Sequence, residues 1–529
     1  MVIGMTVRSE DSGTKTAARH VDVAVIGSGF SGLGAAIKLK ELGTHSFIVL
    51  ERGHEVGGTW RDNTYPGAAC DVPSQLYSYS FALGDWSRSF SRQPEIQAYL
   101  RKVAEDAGVV ENHLFGCEVQ EARWDTASGQ WVIETSAGRV TARFLVSGVG
   151  ALCEPALPAI PGIGSFAGQM FHSARWDHSA DLKGKRVAII GTGASSIQIV
   201  PSIAPEVAQL DVYQRTAPWV LPRFDRPYFG IERWAFRNIP GLQRLARAGV
   251  YAARETQVVG LAKAPKLMAG LQALAQGMIF AQIRDPELRK KVTPDFRIGC
   301  KRMLISNAYY PALDRDNVDL VTDGITEVRE NSIVTADGTE REIDALIIAT
   351  GFHVTDSPTF KGIYGREGRS LAEVFDESGM QGYKGTTVSG FPNLFFLVGP
   401  NTGLGHTSMV FMIESQLNYV VDALKTIERD NIATFEVREE AQAAFNDELQ
   451  AQLAPTVWMT GGCASWYLDK HGNNTTLWPG FTFSFRNMLK KFDAENYGIT
   501  VMAENPDPTA APADSEPVEA TSTGKKARR

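Results

Sequence analysis

Two stretches of this chain carry the same glycine-rich turn between an apolar strand and a helix, and together they restrict the fold more than any other feature. The first, VDVAVIGSGFSGLGAAIKLKELGTHSFIVLER, passes from a valine-rich strand through Gly27, Gly29 and Gly32 into a helix, and its second strand ends at Glu51. The second, RVAIIGTGASSIQIVPSIAPEVAQLDVYQRT, has Gly191 and Gly193 at the turn, Ser196 at the third small position, and Arg215 where the first copy has its acid. Glu51 and Arg215 each fall 24 residues after the first glycine of their copy. Glycines at such a turn let backbone approach a pyrophosphate, which rests on the unpaired N–H groups of the helix N-terminus. A carboxylate at the strand end accepts hydrogen bonds from a free ribose hydroxyl, whereas an arginine there neutralises a 2′-phosphate through its forked donors. The pair predicts one site for an unphosphorylated dinucleotide and one for NADPH. The simplest use of both is hydride transfer from NADPH to FAD.

This pattern implies an α/β fold with two Rossmann-like dinucleotide-binding domains. A second internal echo supports it: GQWVIETSAGRVTARFLVSGVG and NSIVTADGTEREIDALIIATGF each run from hairpin-rich sequence into an apolar strand ending in small residues. A late strand, NLFFLVGPN, is expected to return to the first lobe, so that the NADPH lobe is inserted within the FAD lobe. The expected segments are a flexible N-terminus (1–20), an FAD-binding part (21–150), an NADPH-binding part (151–224), a helical insert (225–295), the second NADPH-binding part (296–380), and the second FAD-binding part with C-terminal loops (381–502). A Pro-, Ala- and Ser-rich tail (503–529) is expected to be disordered. Leu267, Leu271, Leu274 and Met278 stand at helix-face spacing in the insert and are expected to pack it onto the lobes.

The 529 residues exceed one ordinary core, and the net charge of −7 gives no general attraction to nucleic acid or anionic lipid. No long apolar run suggests a membrane span or secretory signal, which points to the cytoplasm. The five cysteines (Cys70, Cys117, Cys153, Cys300 and Cys463) are scattered and include no CxxC pair. That spacing argues against a disulfide framework, a structural zinc and a redox dithiol, and no metal is expected.

After the first lobe, SFAGQMFHSARWDHS contains Phe166, Gly168, His172, Trp176 and Asp177 in the pattern FxGxxxHxxxWD. This resembles the fingerprint of Baeyer–Villiger monooxygenases. GGTWRDNTYPGAACD, with Gly58, Trp60, Tyr65, Pro66, Gly67 and Asp71, is similar to the second signature of that family, and Ala349-Thr350-Gly351-Phe352 to its nucleotide-lobe strand motif. The resemblance implies FAD and NADPH as cofactors and a small-molecule ketone and O2 as partners. One oxygen atom would be inserted beside the carbonyl by way of a flavin peroxide. It assigns Arg302 to the stabilisation of developing anions, with Asp71 holding it. Cofactor binding falls to Gly27, Gly29, Phe30, Ser31, Gly32, Glu51, Arg52, Gly58, Thr59, Trp60, Asp71, Tyr77, Val119 and Met409. On the NADPH side the assigned residues are Gly191, Thr192, Gly193, Ala194, Ser195, Ser196 and Gln198 at the pyrophosphate, and Arg215, Thr216 and Lys301 at the 2′-phosphate. Trp466 is assigned to the nicotinamide nucleotide.

His172 is expected to anchor the connector between lobes, and His113 and His353 to be structural or solvated. A flavin monooxygenase acting on nitrogen or sulfur, and a non-catalytic dinucleotide sensor, remain as alternatives. The particular ketone, the migrating bond and the choice between monomer and homodimer stay open.

Overall fold

The computed structural model describes residues 19–502. The stretches 1–18 and 503–529, on which the expected flexible N-terminus and tail fall, lie outside the described residues; Arg19 and His20 already belong to the strand Arg19–Ile26.

Where the sequence reads VAVI and VAII, strands are covered on both faces, as in parallel sheets packed between helices: Val23, Ala24, Val25, Ala188 and Ile189 are fully buried. The first sheet runs in the order Ile363–Tyr364, Val119–Asp125, Gln130–Thr135, Gly138–Ser147, Arg19–Ile26, Phe47–Glu51, His113–Phe115. Its long strand Gly138–Ser147 pairs antiparallel with the meander over its first half and parallel with the late strand Leu394–Phe396 over its second. The second sheet is wholly parallel, in the order Val318–Val321, Gln209–Tyr213, Arg186–Ile190, Ala345–Ile348, Gln169–His172. In each sheet the glycine turn follows an interior strand at its carboxyl end, the place where open α/β sheets bind ligands.

The two helices that leave these turns, Phe30–Leu42 and Ser196–Ile203, begin without a side-chain cap. Elsewhere Ser370, Ser408 and Asp285 cap their helices. An uncapped start leaves backbone N–H groups available to a ligand. The first helix packs against the 21-residue helix Met409–Arg429, which enters right after the late strand and brings Met409 to the same end of the sheet.

The insert consists chiefly of the helices Gly230–Asn238, Leu242–Glu255, Met268–Gln282 and Pro286–Val292. It is fastened to the first lobe by Arg233 and Arg237 on Asp85, and by Arg247, which donates to Gln75 O at 2.9 Å, Leu76 O at 3.2 Å and Ser78 Oγ at 3.1 Å. The expected packing face needs correction. Leu267 and Leu274 are 64% and 51% exposed, and the buried face of the helix Met268–Gln282 is Met268, Ala275, Met278 and Ile279. Leu267 ends a separate 3-10 turn, Pro265–Leu267, so the helical face starts one residue later than the leucine spacing suggests.

Candidate active site

Both glycine turns open onto one cavity of about 1950 Å3, roughly twice the upper end of ordinary small-molecule pockets. All of the residues assigned to cofactor or catalysis line it except Gly32 and Ser196, which pack behind their turns. Gly27 and Gly191 have φ of +89° and +110°, and a Cβ there would meet Gly148 O at 2.9 Å and Ala349 O at 2.4 Å. Only glycine lets each turn pass so close to the end of the neighbouring strand. The third positions differ. A Cβ at Gly32 would lie 1.8 Å from Gly27 O, whereas the second turn accommodates Ser196, whose buried hydroxyl has no partner and acts only as a small spacer.

Glu51, 3% exposed, is fixed at the end of its strand by three donors: Ser28 N at 2.8 Å, Gly53 N at 2.6 Å and Arg61 Nη1 at 2.7 Å. Arg52 joins the same strand end to the connector through Glu154 at 2.5 Å and Cys153 O at 3.1 Å. Trp60, from the second signature, donates through Nε1 to Tyr77 Oη at 2.9 Å, fixing both rings beside the first turn. A bound acid, an uncapped helix start and a turn that only glycine fits make a cradle suited to a dinucleotide pyrophosphate and ribose.

Asp71 and Arg302 are far apart in sequence and meet on the cavity wall, where the guanidinium donates to the carboxylate. The Arg302 side chain is 41% open, yet the residue lies deep in the protein, so the opening is onto the cavity. The Asp71 charge raises the Arg302 pKa further, against the burial that opposes it. Two residues that sequence reasoning missed complete this cluster. The Tyr467 hydroxyl is buried against Arg302, and burial holds its pKa up. Arg223, at the edge of the insert, donates to Cys70 O at 3.1 Å and so braces the loop that carries Asp71. Tyr467 is next to the assigned Trp466; nothing in the sequence around Arg223 marks it.

Beside Arg302 in the chain, Lys301 lines the same cavity and is a neighbour of Arg215. Burial first, and the Arg215 charge second, lower the Lys301 pKa. Among the described residues neither has an ion-pair partner, which leaves two adjacent cations facing the second glycine turn. Thr192 Oγ1 donates to Thr216 O at 3.1 Å, closing that turn onto the strand end. Gln198, expected at the pyrophosphate, uses its amide between lobes: Nε2 donates to Ala69 O at 3.0 Å, and Oε1 accepts from Tyr65 Oη at 3.1 Å and Ala69 N at 3.2 Å.

His172 does not line the cavity. Its Nδ1 accepts from Ala174 N at 3.1 Å, so Nε2 carries the proton and donates to Gly351 O at 3.1 Å. The ring thereby ties the fingerprint strand to the Ala349-Thr350-Gly351-Phe352 element, and burial lowers its pKa. His113 bonds to Val109 O, and His353 sits against Asp356.

The expectation that the cysteines form no disulfide is corrected by Cys300 and Cys463, whose sulfurs are bonded across a separation of 163 residues. Spacing could not show this, because only the fold brings two such distant positions within bridging range. Cys300 directly precedes Lys301 and Arg302, and Cys463 shortly precedes Trp466, so the link joins two walls of the cavity. Among the described residues no cluster of His, Cys, Asp and Glu could hold a metal, and no helix is long and apolar enough to cross a membrane.

Residues 20–232 match the family described as FMO-like, flavin-binding monooxygenase-like. A Baeyer-Villiger monooxygenase of Pseudomonas aeruginosa is 51% identical over 490 residues, 92% of this chain and 93% of that protein. A cyclohexanone monooxygenase from Rhodococcus sp. Phi1, solved bound to NADP+, is similar with a TM-score of 0.82 and 27% identity, over 92% of this chain and 100% of that one. OTEMO, solved in complex with FAD and NADP, is similar with a TM-score of 0.83 and 27% identity, over 91% of this chain and 100% of its own. Fold and site together are those of the flavin-binding monooxygenase class. Within that class, the chain belongs to the Baeyer–Villiger monooxygenase family.

Proposed function

We propose that this chain is an FAD- and NADPH-dependent Baeyer–Villiger monooxygenase that inserts one oxygen atom of O2 beside a ketone carbonyl. Ketone, O2, NADPH and a proton become ester or lactone, water and NADP+. The observation that carries this reading is the Asp71–Arg302 pair on the wall of a cavity shared by both glycine turns.

When bound, FAD supplies electron transfer from NADPH and the activation of O2. Gly27, Gly29 and the helix start at Phe30 would hold its pyrophosphate, and Glu51 its ribose. Arg302 keeps its charge at any working pH and presents donors in a planar fork, so it offers fixed stabilisation to the oxyanion that develops as the carbonyl carbon is attacked. Asp71 sets the direction of that fork and offsets its charge before reaction. On the second turn, Arg215 and Lys301 would receive the 2′-phosphate, with the backbone from Thr192 to Ser196 at the pyrophosphate and Trp466 beside the nicotinamide. Gln198, bonded to Ala69 and Tyr65, serves here to register one nucleotide site against the other. In this reading the enzyme works in the cytoplasm, as a monomer or homodimer.

The test is a panel of ketones with purified, FAD-loaded protein, following NADPH oxidation and product by gas chromatography. Ketone-dependent NADPH oxidation with one ester or lactone per NADPH is expected. NADPH consumed with hydrogen peroxide release and no ester from any ketone would count against the reading.

A further inference from the structure

The insert contributes a cation to the cavity that the reaction described above does not use. The helix Leu242–Glu255 is docked on the 75–78 segment through Arg247. Arg254, seven residues further on, falls on the same helical face two turns later and lines the cavity. It is half-buried, and among the described residues its guanidinium has no hydrogen bond or ion pair.

Two other arginines near Asp71 have partners: Arg223 on Cys70 O and Asp225, and Arg302 on Asp71. Burial lowers the Arg254 pKa, and the nearby Asp71 charge works against that shift. Asp71 is already taken by Arg302, and Asp225 by Arg88 and Arg223, so Arg254 is left without a carboxylate partner. A half-buried charge without a partner is costly unless a ligand completes it. Leu271 and Leu274 from the insert and Phe224 at its edge line the same cavity and add apolar surface to it. Apolar surface and an unpaired guanidinium in one cavity fit a molecule with a hydrocarbon body and an anionic end.

We propose that Arg254 anchors the carboxylate of the substrate, so that the preferred ketones are keto acids with an apolar chain. This rests on the Baeyer–Villiger reading. The same anionic oxygens could come from NADPH, but Arg215, Lys301 and the second glycine turn already supply its phosphates with partners.

The experiment pairs a long-chain (ω−1)-oxo fatty acid with its methyl ester on the FAD-loaded enzyme, in wild type, Arg254→Met and Arg254→Lys. A charge-assisted contact of ordinary strength predicts a kcat/KM about tenfold or more higher for the acid than for the ester in wild type. Arg254→Met removes that preference through KM, Arg254→Lys recovers part of it, and the NADPH KM stays unchanged in both. In parallel, decanoate, which has no ketone, is titrated into the FAD-loaded protein by calorimetry; wild type and Arg254→Lys bind it and Arg254→Met does not.

Equal kinetics for acid and ester in wild type, with decanoate bound equally by all three proteins, would overturn the proposal. A raised NADPH KM in Arg254→Met with acid preference intact would overturn it in favour of the phosphate. Absence of ester from every ketone would instead defeat the Baeyer–Villiger reading, and the decanoate arm would still decide the role of Arg254.

Discussion

At Arg302 the identity of the side chain decides what the cavity can do, because an imidazole would lose its charge near neutrality and a lysine would offer a compact point charge without the planar fork. Asp71→Asn keeps the shape of the partner and removes its charge. It is expected to leave FAD bound while lowering ester formation about tenfold or more by loosening the guanidinium, as read by product yield per NADPH; unchanged coupling would show that Asp71 has no part in placing Arg302. Next in the chain to Arg302, Lys301 joins Arg215, and Arg215→Ala with Lys301→Ala removes both free cations beside the second turn. The KM for NADPH is expected to rise by about a hundredfold or more, with little change for NADH, since each lost charge-assisted contact to a phosphate is worth roughly 1.5–3 kcal/mol. Steady-state kinetics with both nucleotides checks this, and an unaltered NADPH to NADH ratio would move the 2′-phosphate elsewhere.

Between elements, His172 is the joint whose chemistry predicts a pH dependence. Its folded pKa is depressed, so the neutral ring is the form the fold accommodates, and the unfolded chain takes up the proton first. The stability it contributes is therefore complete above the unfolded value of about 6.5 and is lost as pH falls through the folded value. Urea unfolding of wild type and His172→Gln is expected to show a gap of about 1–2 kcal/mol near pH 8, from two lost hydrogen bonds, that narrows below about pH 6. A gap independent of pH would mean that the ring does not titrate with folding. The Cys300–Cys463 link joins the Arg302 segment to the Trp466 loop. Alkylation of denatured, unreduced protein is expected to label three thiols, those of Cys70, Cys117 and Cys153, and labelling of all five would show facing thiols instead, as a reducing cytoplasm would favour.

Across the whole molecule, what could be read in advance followed from local pattern. Gly27, Gly191, Glu51 and Arg215 announced themselves because strand, turn and helix sit within one short stretch, and the Asp71 and Arg302 motifs sat in segments with recognisable neighbours. The unread parts depend on distant chain meeting distant chain. No local signal says that Arg247 docks on Gln75, that Cys300 meets Cys463, or that the Gln198 amide bonds to Ala69. Leu267 and Leu274 misled because their spacing is helical while the helix itself begins at Met268. In the proposed reaction the two nucleotide sites serve one guanidinium on the wall of the cavity they share. The decisive experiment is ester yield in a single turnover of Arg302→Ala loaded with FAD and reduced by NADPH before O2 and ketone are added. Normal reduction and an ester yield lower by about a hundred- to thousandfold are expected, and an ester yield equal to that of wild type would remove Arg302 from the reaction.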